Sequence, residues 1–180
     1  DNAVVDEVAD RLGVSRSEVE SLEERVPSLA ERIASSLALS APELAVPVDD
    51  APMMQTAETR IVGVTQRVMQ EAVQGGNAVL VGRGAQALLA ERQDALPVFC
   101  YAPKRFLVDY AIAHRGINPA NAEHEVDKRN KQREQYVRRH FSRDWRSFDN
   151  YHLCVDTGRL GIETAADVVI YAARERFNLR

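Results

Sequence analysis

Cysteine is nearly missing from these 180 residues: Cys100 and Cys154 are the two, each inside an apolar run. Two thiols without framework spacing exclude a disulfide scaffold and read as buried side chains in a reducing compartment. No apolar stretch reaches membrane-spanning length and no charged-then-apolar leader opens the chain, so a cytoplasmic protein without a membrane partner is expected. There is no internal repeat and no low-complexity segment. The four histidines, 114, 124, 140 and 152, lack metal-ligand spacing, so solvated or packed roles are expected for them and no metal site. A G-x-x-x-x-G-K-S/T loop, the usual cradle for nucleotide phosphates, is also missing.

What is present is ordinary in bulk and uneven in detail. A chain of 180 residues, 45% hydrophobic and 28% charged, is one domain by default and can bury a core without staples. Its net charge of −4 conceals an asymmetry. Residues 103–146 hold eleven Lys or Arg against six Asp or Glu, while the rest holds twelve against twenty-one. A basic island on an acidic body points to a local anion site.

The pattern of apolar residues changes period along the chain. Val4, Val5, Val8 and Leu12 share one helical stripe closed by Gly13. Ser15 and Glu18 read as a capping box opening a helix to about Arg25. Pro27 restarts helix to about Leu39, and Pro42, Pro47 and Pro52 mark an extended connection. A long amphipathic helix, about Gln55–Gln74, is stopped by Gly75 and Gly76. Beyond it, "NAVLVG" (77–82), "LPVFCYA" (96–102) and "YHLCVDT" (151–157) read as buried strands. Helices are expected at Ala85–Glu91, Pro103–His114, Pro119–Phe141 with Asn118 as cap, and about Ile162–Phe177. Strands alternating with helices predict an α/β fold with a parallel sheet.

Three motifs bear on function. "VADRLGVSRSEVESLEER" has helix-turn-helix spacing, but Ser17–Glu24 carries four glutamates and no cation. DNA would repel such a helix, so the stretch reads as a helical hairpin and nucleic acid as an improbable partner. In "VLVGRGAQALL", Gly82, Gly84 and Ala87 fit G-x-G-x-x-G/A, yet no acid ends the next strand to hold a ribose. Arg83 in that turn reads either as a phosphate ligand or as a solvated side chain on a tight turn.

The third motif is "DKRNKQREQYVRRHF" (127–141), with six cations in fifteen residues. On a helix, Arg129, Arg133, Tyr136 and His140 fall on one side, and Arg138 and Arg139 continue the charge. Asp127 and Glu134 can offset two of the six cations. Like charges at i,i+4 cost roughly 0.2–0.5 kcal/mol per pair unless an anion bridges them. Arginine suits bidentate phosphate binding, so the stretch reads as an anion clamp.

Taken together, these segments resemble the cytidylate kinase-like family, a branch of the P-loop nucleoside monophosphate kinases. "VVDEVADRLGVSRSEVESLEERVPSL" is similar to that family's early helical segment and "NAVLVGRGAQALL" to its GRG strand and turn. "VFCYAPKRF" is similar to the following strand and Arg-bearing helix start, "NKQREQY" to the lid, and "YHLCVDTGRLGIETA" to the last strand and helix. The resemblance implies a three-layer core of five parallel strands in one domain: a helical acceptor-side region at 1–75, an α/β core at 76–115 and 147–180, and a helical lid at 116–146.

It implies ATP-dependent phosphorylation of a nucleoside monophosphate, CMP or dCMP first, with ATP and Mg²⁺ as cofactors. Arg129, Arg133, Arg138 and Arg139 would neutralise the moving phosphoryl group. Gly82, Arg83, Gly84, Arg105, Lys131, Tyr136, Thr157 and Arg159 would contact nucleotide or phosphate, with the Thr157–Arg159 turn near adenine. The family's lid acid falls at Asn130. Its P-loop strand sits mid-sheet and precedes the region matching Asp1. The chain begins at Asp1 instead of Met, so the expectation is that the loop lies upstream or that the sheet has been rebuilt, and that these 180 residues alone are inactive. Alternatives are a non-catalytic nucleotide-sensing or association module, in which the proline-rich connection and acidic hairpin could serve a homodimer, and, least favoured, nucleic-acid binding through the basic helix.

Overall fold

Ser15 and Glu18 form the expected capping box. The Ser15 N–H and hydroxyl each donate to Glu18 Oε2 at 2.7 Å, and the Glu18 N–H donates to Ser15 Oγ at 3.2 Å. Those bonds hold the Glu18 carboxyl below its ordinary pKa. The box opens α2 (Arg16–Glu23), which follows α1 (Asn2–Leu12). Gly13, at φ +64°, makes the left-handed turn between them. The computed structural model describes residues 2–23 and 57–179. The helix expected from Pro27 and the three-proline connection lie outside the described residues.

The chain divides into two compact units, residues 1–79 and 80–180. In the first, α1 and α2 pack on α3 (Ala57–Gln74). Val5, Val8, Ala9, Val19, Ile61 and Val68 form its core, and Met69 is also buried. Each fully buried valine contributes roughly 1.5–3 kcal/mol, which is why the apolar stripe of α1 must find a partner.

Arg11 clasps this bundle. Its Nη2 lies 2.6 Å from Glu71 on α3, and its Nε 2.7 Å from Glu7 on α1. The Arg11 hydrogen bond holds the Glu71 carboxyl below its ordinary value of 4.5. A depressed folded pKa means the unfolded chain takes up protons first as pH falls. The clasp's stabilisation is therefore full above pH about 4.5 and fades as pH drops through the lowered value. Glu71→Gln is expected to flatten that acid dependence for the 1–79 unit. Denaturant unfolding between pH 6 and pH 3, read by helix circular dichroism, checks this. An unchanged pH slope would discard the clasp.

After α3 an apolar stretch does not become the expected strand. Residues 77–81 carry no strand pairing among the described residues, with Val79 90% and Val81 61% exposed. Composition favours a strand here, but a strand exists only when a neighbour takes up its backbone donors and acceptors. Among the described residues none lies alongside. A short helix, α4 (Ala85–Leu88), follows the Gly82–Gly84 turn. Then come β1 (Val98–Tyr101), α5 (Lys104–Arg115), α6 (Pro119–Phe141), a 3₁₀ turn at Phe148–Asn150, β2 (Leu153–Asp156), α7 (Thr157–Leu160) and α8 (Ile162–Phe177).

β1 and β2 pair in parallel, Val98 opposite Leu153 and Tyr101 opposite Asp156. The protein is thus a helix-rich α/β fold whose described residues form a two-stranded parallel sheet. β2 contributes the buried Val155. Cys154 is half-buried, but Cys100 is exposed, contrary to the expectation of two buried thiols. Among the described residues β1 pairs with β2 alone.

Helix α6 has the predicted bounds because its start is locally encoded. Asn118 Oδ1 accepts from the Ala120 N–H at 2.9 Å, with Pro119 in the first turn. After α6 the chain folds back through Trp145, which meets Phe99 of β1 edge-to-face at 5.5 Å. Phe99 also stacks on Tyr151 at 4.9 Å, and the Tyr151 hydroxyl donates to the Trp145 carbonyl at 2.6 Å.

Candidate functional site

Two turns leave the carboxyl ends of β1 and β2 side by side, the place where parallel α/β sheets bind ligands. The Thr157 hydroxyl donates to the Tyr101 carbonyl at 3.0 Å. Asp156 Oδ1 accepts from the Gly158 and Arg159 N–H groups at 3.0 and 3.1 Å, capping α7. Gly158 is pressed on the Ala102–Pro103 turn: a Cβ there would sit 2.6 Å from Pro103 Cδ and 3.3 Å from Phe106 Cγ. The structure thus brings Thr157 and Gly158 onto the segment that carries Arg105. The Arg105 and Arg159 side chains are 94% and 82% exposed, each with an acid no closer than 3.6 Å.

Beside these turns, α5 and the start of α8 line an open groove of about 380 Å³. Phe106, Tyr110 and His114 form its floor as a ladder at i, i+4, i+8, with ring centroids 6.2 and 4.4 Å apart. Asp109, Gly161 and Ile162 also line it. Sequence reasoning missed this groove. The signal was the four-residue spacing of three ring-bearing side chains directly after "APKR".

Helix α6 is anchored to this framework at both ends. Near its start, Glu123 and Asp127 hold the Lys104 ammonium at 2.5 and 2.8 Å, raising the lysine pKa through the Asp127 and then the Glu123 hydrogen bond. Asp127, expected to offset the cations of its own helix, is spent on α5. At the other end the Phe141 ring covers Gly84, where a Cβ would come within 2.2 Å of Phe141 Cε2. The turn itself is left-handed throughout, with φ of 76°, 51° and 70° at Gly82, Arg83 and Gly84. Arg83, half-buried, holds that conformation without being glycine.

Between the anchors the basic residues divide. Arg129, Tyr136 and His140 are half-buried, Tyr136 and His140 with ring centroids 4.9 Å apart. Arg129 Nε is buried and makes no hydrogen bond among the described residues. Arg133 Nη1 donates to Asn130 Oδ1 at 3.1 Å, so a neutral amide orients this guanidinium. Arg138 pairs with Glu134 at 3.0 Å. Lys131 and Arg139 are exposed.

Residues 1–159 match the family model described as the cytidylate kinase-like family. The chain belongs to this family. The matched span runs through the hairpin, the GRG turn, α6 and the turn after β2, ending at Arg159. No curated protein matches the sequence. A crystal structure of an uncharacterized protein from Eubacterium ventriosum ATCC 27560 is similar in fold, with a TM-score of 0.60 at 19% identity, covering 65% of this chain and 74% of that one. The protein is thus kinase-like by family and helix-rich α/β by structure.

Cytidylate kinase-like proteins imply magnesium, which phosphoryl-transfer sites hold through one or two carboxylates, water and the substrate phosphates. No three His, Cys, Asp or Glu side chains converge among the described residues. The carboxylates nearest the strand ends are engaged, Asp156 in capping α7 and Asp127 and Glu123 on Lys104. Among the described residues no helix is long and apolar enough to cross a membrane.

Proposed function

We propose that this chain supplies the lid and base-binding parts of a nucleoside monophosphate kinase of three-layer P-loop architecture, moving a phosphoryl group from ATP to CMP or dCMP. The observation that carries this reading is Arg129. A buried guanidinium N–H without an acceptor costs about 1–3 kcal/mol, and a bound phosphate oxygen would relieve that cost. Arg133, Arg138 and Arg139 then supply charge around the same helix, which suits a reaction needing mainly positioning and charge neutralisation. Arg83, Arg105 and Lys131 add phosphate contacts from the GRG turn, α5 and α6. The Phe106–Tyr110–His114 ladder offers a stacking surface for adenine beside Thr157 and Arg159.

These 180 residues contain no G-x-x-x-x-G-K-S/T loop, so nucleotide binding without turnover is the expected behaviour of the chain by itself. That fact also favours a second reading, a nucleotide-sensing module that never turns over. Trp145 is the sole tryptophan, edge-to-face with Phe99 and with the Arg146 guanidinium over its ring, so its fluorescence reports on the unit that holds the site.

Titration with CMP and with ATP is expected to saturate this signal. Arg138→Ala with Arg139→Ala is expected to weaken binding about 10–100-fold, the loss of one or two charge-assisted bonds. Absence of saturable binding to either nucleotide would sink both readings. Coupled-assay turnover by the 180-residue chain would show that the phosphate cradle is not required. A longer chain carrying a strand and Gly-rich loop before Asp1 that binds yet stays inactive would select the sensing module.

A further inference from the structure

Helix α8 packs on β2 through one side, where Ala165 is buried and Val169 half-buried. Around from that side, Ile162, Ile170 and Tyr171 are 49%, 48% and 66% exposed. Ile170 and Tyr171 lie between Asp167 and Arg174, at spacings of three or four residues on the outward side of the helix. Asp167 and Arg174 stand two turns apart, about 10.5 Å along the axis, too far to pair within their own helix. Neither has an ion-pair partner among the described residues. Ala166 and Ala173 flank the apolar pair and leave room for a backbone to approach.

We infer that two copies of this chain associate through α8, antiparallel about a two-fold axis centred between Ile170 and Tyr171. An isologous contact must be complementary to itself, and this face meets that requirement. Reversing the helix about residue 170.5 sets Asp167 of one copy opposite Arg174 of the other, twice, with Ile170 facing Tyr171 between the two ion pairs. A stripe with acid and base exchanged in only one of these positions would place like charges together. The contact is a single helix pair, so a weak, concentration-dependent dimer is expected. The inference is independent of the nucleotide reading, since Asp167, Ile170, Tyr171 and Arg174 do not line the groove proposed for the nucleotide.

Sedimentation equilibrium of the full chain tests it. Wild type is expected to show a monomer–dimer equilibrium. Asp167→Arg and Arg174→Asp are each expected to weaken it about tenfold or more by setting like charges together. The double exchange is expected to restore affinity to within about threefold of wild type. All these positions are exposed, and circular dichroism verifies that each variant folds. Restoration by the double exchange supports the pairing. A chain that stays monomeric at several hundred micromolar overturns it, as does a dimer indifferent to both single variants or a double variant no tighter than the singles. Protection of Tyr171 from chemical modification in a monomer would assign the face to the chain's own residues and overturn it equally.

Discussion

Gly84→Ala is expected to cost the 80–180 unit about 2–4 kcal/mol. Two penalties combine. At φ +70° any Cβ is strained, by roughly 1 kcal/mol. The Cβ would also lie 2.2 Å from Cε2 of Phe141 and 2.8 Å from two further ring atoms. A phenyl ring cannot yield as the end of a lysine could, so α6 must lift or the turn must shift. Denaturant unfolding followed by Trp145 fluorescence measures the change in this unit alone. Adding Phe141→Leu to Gly84→Ala should recover the steric share and leave the backbone share, which separates the two causes. A loss below about 0.5 kcal/mol would mean that the α6 terminus does not rest on the turn.

The second large effect is at Gly158. Its Cβ position is 2.6 Å from Pro103 Cδ and 3.0 Å from Ala102 Cβ. A proline ring and an alanine methyl have no rotamer to retreat into. Gly158→Ala is expected to destabilise by about 1–3 kcal/mol, as overpacking does. It should also spread the two post-strand turns and break the Thr157–Tyr101 hydrogen bond. Nucleotide affinity should fall with it if the turns form the base site. Thr157→Val removes the bond without the clash, and is expected to cost about 1 kcal/mol. Equal stability of Gly158→Ala and wild type would show that the turns are not locked together.

The two anchors of α6 explain why this helix can carry so much like charge. Lys104 ties its early turns through Glu123 and Asp127, and Phe141 seats its end on Gly84. Surface ion pairs contribute little one by one, but here they fix which side of the helix faces α5. Sequence spacing put Arg129, Arg133, Tyr136 and His140 on one side; Arg129, Tyr136 and His140 are half-buried, whereas Arg133 is exposed. It could not tell that Asp127 would leave its own helix for Lys104, because the partner is 23 residues away.

What the sequence determined by itself was local. The 3.6-residue period, the Ser15–Glu18 box, the Asn118 cap and the glycine stops set helix ends to within a few residues, since those interactions span four residues or fewer. The residues of the GRG turn, the "APKR" segment and the basic helix were also legible, enough to point to the family. Tertiary structure alone decided pairing and exposure. Among the described residues "NAVLVG" has the composition of a strand yet is unpaired, and Cys100 lies open on a strand with one neighbour. The aromatic groove along α5 exists because a turn 47 or more residues away in sequence closes over it. Hydrogen-bond pairing between strands and the closing of a groove depend on residues far apart in the chain, and no window of neighbours contains that information.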